Sequence, residues 1–156
     1  MALEHQGNRS ASDKEVAEIA ARIRDMLRGS FTDANGANRP LRENDFMVVA
    51  PYNAQVRRLR AGLPAGVRVG TVDKFQGQEA PIVFFSMATS SGEDVPRNLA
   101  FLFSRNRLNV AISRAQCLAV LVCSSRLLEA RCHSVEEMAL VNALCRLVEY
   151  AEGRPV

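Results

Sequence analysis

The chain has 156 residues, of which 47% are hydrophobic and 24% charged, with no Trp. That length and balance exclude a disordered chain and a peptide too small to bury its own core, and they fit one globular domain. The formal charge of +3 is mild and arginine-rich, so it permits contact with nucleic acid without requiring it.

The stretch SDKE, Ser12 to Glu15, reads as a capping box. It opens a helix with Val16, Ile19, Ala20, Ile23 and Leu27 on one apolar face, closed near Gly29. Residues 30–44 are rich in turn formers and read as a polar loop. FMVVA (46–50) is a continuous apolar run, the mark of a strand buried on both faces, and Pro51 ends it. A short helix follows, with Asn53 as its N-cap, Val56 and Leu59 inward, and Arg57, Arg58 and Arg60 outward. VRVGTV (67–72), IVFFSMA (82–88) and CLAVLVC (117–123) read as three further strands. Between the last two lie a polar loop (89–98) and a helix over RNRLNVAISRAQ (105–116). Leu108, Ala111, Ile112 and Ala115 form that helix's buried stripe; Arg107 and Arg114 share one flank, and Asn106, Asn109 and Ser113 the other. Ser134 and Glu137 form a second capping box for a last helix with Met138, Val141, Cys145 and Val148 on its inner face.

Apolar strands alternating with helices predict an α/β domain, with a mostly parallel sheet and helices on both faces. Its functional loops should gather at the carboxyl ends of the strands. The four cysteines show no CxxC pair, so no metal site is expected; free thiols fit a reducing compartment. No apolar run is long enough to cross a bilayer, and MALEHQGNRSAS has no apolar signal core. A cytoplasmic protein without a membrane partner is therefore expected.

Three segments carry chemistry: APYNAQ (50–55), GTVDKFQGQE (70–79) and TSS (89–91). With RNRLNVAISRAQ, and in this order, they resemble the C-terminal RecA-like domain of superfamily 1 helicases of the 5′-to-3′ type. That branch includes the nonsense-mediated-decay helicase and the Dna-two-like nuclease-helicases. APYNAQ resembles the family's Thr-Pro-Tyr-x-x-Gln segment, GTVDKFQGQEAPIVFFSMATSS (70–91) its motif V, and RNRLNVAISRAQ its motif VI. Two departures are visible: Ala50 stands where the family usually carries Thr or Ser, and SRNR replaces an Asp paired with Arg, which removes a counterpart for Arg105.

The resemblance implies a RecA-like fold over residues 1–156 as one second motor domain, a piece of a longer ATP-dependent helicase or nuclease-helicase, the latter by analogy with chains that carry a RecB-like nuclease. It implies that Arg114 reaches the γ-phosphate, supported by Arg107, since a guanidinium offers a permanent charge and a planar fork. Glu79 would accept a hydrogen bond from the ATP ribose, Gly77 would let the backbone approach the nucleotide, and Gln76, with Asp73, would relay to the nucleic-acid side. Pro51, Tyr52, Asn53, Gln55, Thr71, Thr89 and Ser90 would hold the backbone of a single strand, DNA ahead of RNA. The chain has no GxxxxGK[ST] phosphate loop and no Asp-Glu pair for Mg²⁺. ATP and Mg²⁺ would thus belong to the full-length parent, whose first RecA-like domain is the implied partner. The chain alone would bind neither tightly and would be inactive. The alternative is a non-catalytic nucleic-acid-binding or interaction module that keeps the fold.

Overall fold

The computed structural model describes residues 1–75, 77–96, 99–151 and 153, apart from the side chains of Arg105, Asn106 and Ala111. In chain order the elements are β1 (Ala2–Leu3), α1 (Asp13–Met26), β2 (Ser30–Thr32), β3 (Asn38–Pro40), β4 (Phe46–Val49), α2 (Asn53–Gly62), β5 (Arg68–Gly70), β6 (Ala80–Ser86), α3 (Leu99–Leu102), α4 (Arg105–Ser113), β7 (Ala115–Ser124) and α5 (Val135–Ala151).

Five strands form a sheet in the order β1-β7-β6-β4-β5, and every pairing in it is parallel. Side chains alternate across it. Phe46, Val48, Ile82 and Phe84 enter one core with Val16, Ile19, Ile23, Val56 and Leu59 from α1 and α2. Met47, Val49, Val83 and Phe85 enter a second core with Leu102, Leu108, Val141 and Leu144 from α3, α4 and α5. Two-sided burial is why β4 and β6 read as unbroken apolar runs. This is the α/β architecture with helices on both faces that the sequence predicts.

Several local expectations change. Residues 30–44 are not a plain loop: β2 and β3 pair as an antiparallel hairpin. Asp33 Oδ1 accepts from the backbone N–H of Asn35 and Ala37, both at 2.9 Å, and Gly36 takes φ +83°, which an L side chain rarely adopts. The hairpin is polar and mostly exposed, so it left no apolar alternation to read. The second predicted strand shrinks to Arg68–Gly70, and Val72–Phe75 turn into a 3₁₀ helix. The N-cap of α2 is Tyr52, and Asn53 is the first helical residue.

The helix predicted over 105–116 ends at Ser113, because Ala80 N–H donates to the Arg114 carbonyl (3.0 Å) and Ala115 pairs with Ala80 in the sheet. In α5 the fully buried stripe is Val141 and Leu144, whereas Met138 is 60% exposed and Cys145 and Val148 are half-buried. The first half of β7 also departs from two-sided burial. Residues 116–119 are exposed, since β1 pairs only with Cys123 and Ser124 on the outer side.

Candidate nucleotide and nucleic-acid surfaces

The candidate residues fall into two groups at opposite ends of β6, whose seven residues separate them by about 20 Å. The expectation that all functional loops gather at the carboxyl ends is corrected here. A strand parallel to its predecessor must begin at the amino end, so the segment that starts with Thr71 after β5 returns to deliver Gly77 and Glu79 in front of β6.

At the amino end, the Ala80–Ala115 pairing sets Glu79 and Arg114 at neighbouring positions, each immediately before its strand. Gln116 Nε2 donates to Glu79 Oε2 at 3.3 Å, and Arg68 Nη2 donates to the Glu79 carbonyl at 3.0 Å. Glu79 is exposed. Gly77 has φ +77° and nothing within 4 Å of where a Cβ would sit, so its backbone faces open space. The Arg114 Nε is buried and has no hydrogen-bond partner among the described residues. Gln76 lies outside the described residues.

Arg107 has different surroundings from Arg114. Its guanidinium lies 4.0 Å over the Phe101 ring, and that ring lies 5.7 Å from Tyr52. Seven residues of helical rise put the two arginines about 10 Å apart along the chain's path. The expected matched pair is thus one arginine packed on an aromatic ring and one with a buried, unpartnered nitrogen.

At the carboxyl end, Pro51 and Tyr52 are buried, Asn53 is exposed and Thr71 is half-buried. Gln55, Thr89 and Ser90 are fully buried, and their side chains bond within the protein rather than pointing outward. Gln55 Oε1 accepts from Ser12 N–H (2.8 Å), and its Nε2 donates to Ser86 Oγ (2.9 Å). Thr89 Oγ1 donates to the Arg9 carbonyl (2.7 Å). Ser90 Oγ accepts from Asn8 N–H (2.9 Å) and faces His5 Nδ1 (2.8 Å). The direct hydroxyl and amide contacts expected of these three side chains are therefore replaced by internal ones.

The network converges on Glu15, which is 0% exposed. Its carboxylate accepts from His5 Nε2 (3.1 Å), Ser86 Oγ (2.5 Å) and the Ala88 N–H (3.0 Å). His5 Nδ1 faces Ser90 Oγ (2.8 Å) and Asn8 Nδ2 (3.1 Å), and its Nε2 faces Glu15 Oε1, so the ring bridges the loop to the carboxylate. Ala88 has φ +66°, the one positive value at a described residue other than glycine, and Glu15 satisfies its amide. A buried carboxylate is tolerated only with this many donors. By its spacing from Ser12, Glu15 belongs to a capping box; only half of that box forms, since Ser12 Oγ accepts from Glu15 N–H (3.3 Å) while Ser12 N–H goes to Gln55.

A family profile described as "AAA domain" matches residues 2–126, and named helicases are similar to the chain over 77 to 121 residues. The chain belongs to the superfamily 1 helicases, as a helicase domain of that AAA type. The helicase domain is 46% identical over 77 residues to DNA polymerase alpha-associated DNA helicase A of Schizosaccharomyces pombe, covering 47% of this chain and 11% of that one. It is 31% identical over 121 residues to helicase sen1 of the same yeast, covering 72% and 7%. It is 32% identical over 104 residues to RNA helicase Mov10l1 of Homo sapiens, covering 62% and 9%. The chain spans about a tenth of the length of the curated relatives it matches.

Sequence reasoning about this helicase domain missed His5, Asn8, Ser86, Phe101 and Gln116 as site residues. Glu15 carried a legible signal, the acid three residues after Ser12, but the local pattern assigned its carboxylate to the helix end. His5 and Asn8 reach Ser90, Ser86 reaches Gln55 and Gln116 reaches Glu79 across 31 or more residues of chain, which no local pattern reports.

Proposed function

We propose that this domain is the second half of an ATP-dependent superfamily 1 motor that moves along single-stranded nucleic acid, with Arg114 as its γ-phosphate-sensing residue. One observation carries this: a buried guanidinium nitrogen with no hydrogen-bond partner among the described residues, at the same end of β6 as the exposed Glu79 and Gly77. A buried donor left unsatisfied costs about 1–3 kcal/mol, a cost that makes sense where a ligand completes the bond. Arg68 also has a buried, unpartnered Nε, but its guanidinium is already tied to Glu79 through Nη2.

The residues present fit part of a nucleotide site. Glu79 would hold the ribose, and Gly77 the close backbone approach. Arg114 would present its planar fork to phosphate oxygens as charge spreads over them. ATP with Mg²⁺ would supply the phosphoanhydride bond, and its phosphates would be cradled by the first RecA-like domain of a longer protein. Alone, this chain would be half a motor without turnover of its own. At the other end of the sheet, Asn53 and Thr71, with the backbone around Pro51 and Tyr52, would hold a strand through its phosphates without reading its bases. The relatives' names include both a DNA helicase and an RNA helicase, so both strands belong in the test.

In the longer helicase, Arg114→Ala is expected to lower strand-stimulated ATP turnover about a thousandfold or more, the range of an arginine finger. Nucleotide and strand affinity should stay within roughly tenfold, since the charge it meets develops in the transition state. Arg114→Lys should not rescue turnover, because an ammonium lacks the planar fork. Normal turnover with Arg114→Ala would overturn the assignment and favour a module that keeps the fold without the chemistry.

A further inference from the structure

The loop after β6 carries another part of the chain on top of it. Ser90 N–H donates to the Asn8 carbonyl (2.8 Å), Asn8 N–H returns to Ser90 Oγ, and Thr89 Oγ1 holds the Arg9 carbonyl. Three residues beyond Arg9, Ser12 N–H is held by Gln55 after β4. Residues 8–12 thus cross the carboxyl ends of both β6 and β4. The segment is fixed from below by the buried His5–Glu15 pair. Thr89 and Ser90 are 0% exposed beneath it, while Arg9 is exposed above.

Arg9 makes no ion pair among the described residues, whereas Arg22, Arg39 and Arg58 each meet a carboxylate. A guanidinium without a counter-charge, on a backbone held at both neighbouring carbonyls, stands where ligands of parallel sheets bind. We propose that Arg9 contacts a phosphate of the bound single strand. Thr89, Ser90, His5 and Glu15 are positioning residues that present it. This rests on the reading of this sheet end as the strand-binding surface. It explains why the hydroxyls of Thr89 and Ser90 turn inward: they build the floor under the residue that meets the phosphate. Such a contact fixes position and carries no base preference.

The test is fluorescence anisotropy with the full 156-residue chain and a fluorescein-labelled fifteen-residue oligothymidylate, repeated with oligouridylate, across a series of NaCl concentrations. Arg9→Ala should weaken binding about three- to tenfold at low salt. It should also reduce the slope of log affinity against log salt by about 0.7, the value for one single-strand phosphate contact. Arg9→Lys should keep the slope, since any cation there displaces the same counterion. Arg24→Ala, at the far end of α1, should change neither quantity and serves as the reference for an exposed arginine elsewhere. Wild-type binding with Arg9→Ala indistinguishable from Arg24→Ala would overturn the Arg9 assignment alone. A wild-type chain with no salt-dependent binding to either oligonucleotide would overturn the strand-binding reading, and Arg9 with it.

Discussion

Arg39 meets Asp45 through two hydrogen bonds, Nη1 to Oδ2 at 2.6 Å and Nη2 to Oδ1 at 2.7 Å, and Asp45 Oδ2 also accepts from Arg42 N–H at 2.8 Å. The pair ties the hairpin to the start of β4, and the Arg39 guanidinium lies 5.4 Å over Phe31 as well. The Arg39 bond holds the Asp45 carboxyl below the ordinary carboxylate range, against the opposing effect of partial burial. A depressed folded pKa contributes stability above the unfolded value of about 4, and that stability is lost as pH falls through the folded value. Asp45→Asn should therefore lower the melting temperature at pH 6 by a few degrees, with the gap to wild type closing as pH drops toward 3. Arg39 is 40% exposed, so added salt should narrow the neutral-pH gap in part. Melting curves across that range check it; a gap independent of pH would assign Asp45 a packing role only.

Among the elements, α1 and α2 pack closely on one face of the sheet, and a glycine sets the approach. A Cβ at Gly62 would sit 2.6 Å from Val16 Cγ1. Val16 is β-branched and buried, so it has little rotamer freedom to yield. Helix propensity alone favours Ala over Gly by about 1 kcal/mol. The contact reverses that sign: Gly62→Ala is expected to destabilise by about 1–3 kcal/mol, the usual cost of overpacking. Adding Val16→Ala should recover part of the loss, giving a non-additive double-mutant cycle in urea denaturation. Strictly additive effects would remove this contact as the cause. Motif VI divides at the same level of organisation. Its periodic half forms α4, and its last residues join β7, because the sheet's backbone bonds outcompete one further turn of helix.

Over the whole molecule, protection is uneven. The sheet is sealed on both faces along β4 and β6, yet the first half of β7 is open, with Leu118 40% exposed beside a cavity of about 460 Å³ lined by Leu121, Leu147 and Tyr150. The cysteines report on this. Cys117 is exposed, Cys132 and Cys145 are half-buried, and Cys123 is buried at the protected end of the same strand. Burial pushes the Cys123 thiol up to about 11 and raises Cys145 in the same direction. Mass spectrometry after brief maleimide labelling at pH 7.5 should find Cys117 modified first and Cys123 only after denaturant is added. Equal rates at the two sites would contradict the open-edge arrangement of β7.

The sequence alone determined the fold class, the two-faced burial of β4 and β6, the inner face of α1 and the family, because each depends on periodicity or on motifs that lie within a few neighbouring residues. The hairpin escaped notice because a polar ribbon buries too little to leave a pattern. The inner stripe of α5 was misplaced because that helix is apolar on more than one side, and only its neighbours select which side is covered. The two candidate surfaces needed the tertiary structure most. The parallel crossover returned Gly77 and Glu79 to the opposite end of the sheet from Thr71. It also brought His5, Asn8 and Glu15 under and over the loop of Thr89 and Ser90, through hydrogen bonds that span 71 to 85 residues of sequence. Hydrogen bonds at such separations follow from chain topology and burial, neither of which is written in any local stretch of residues.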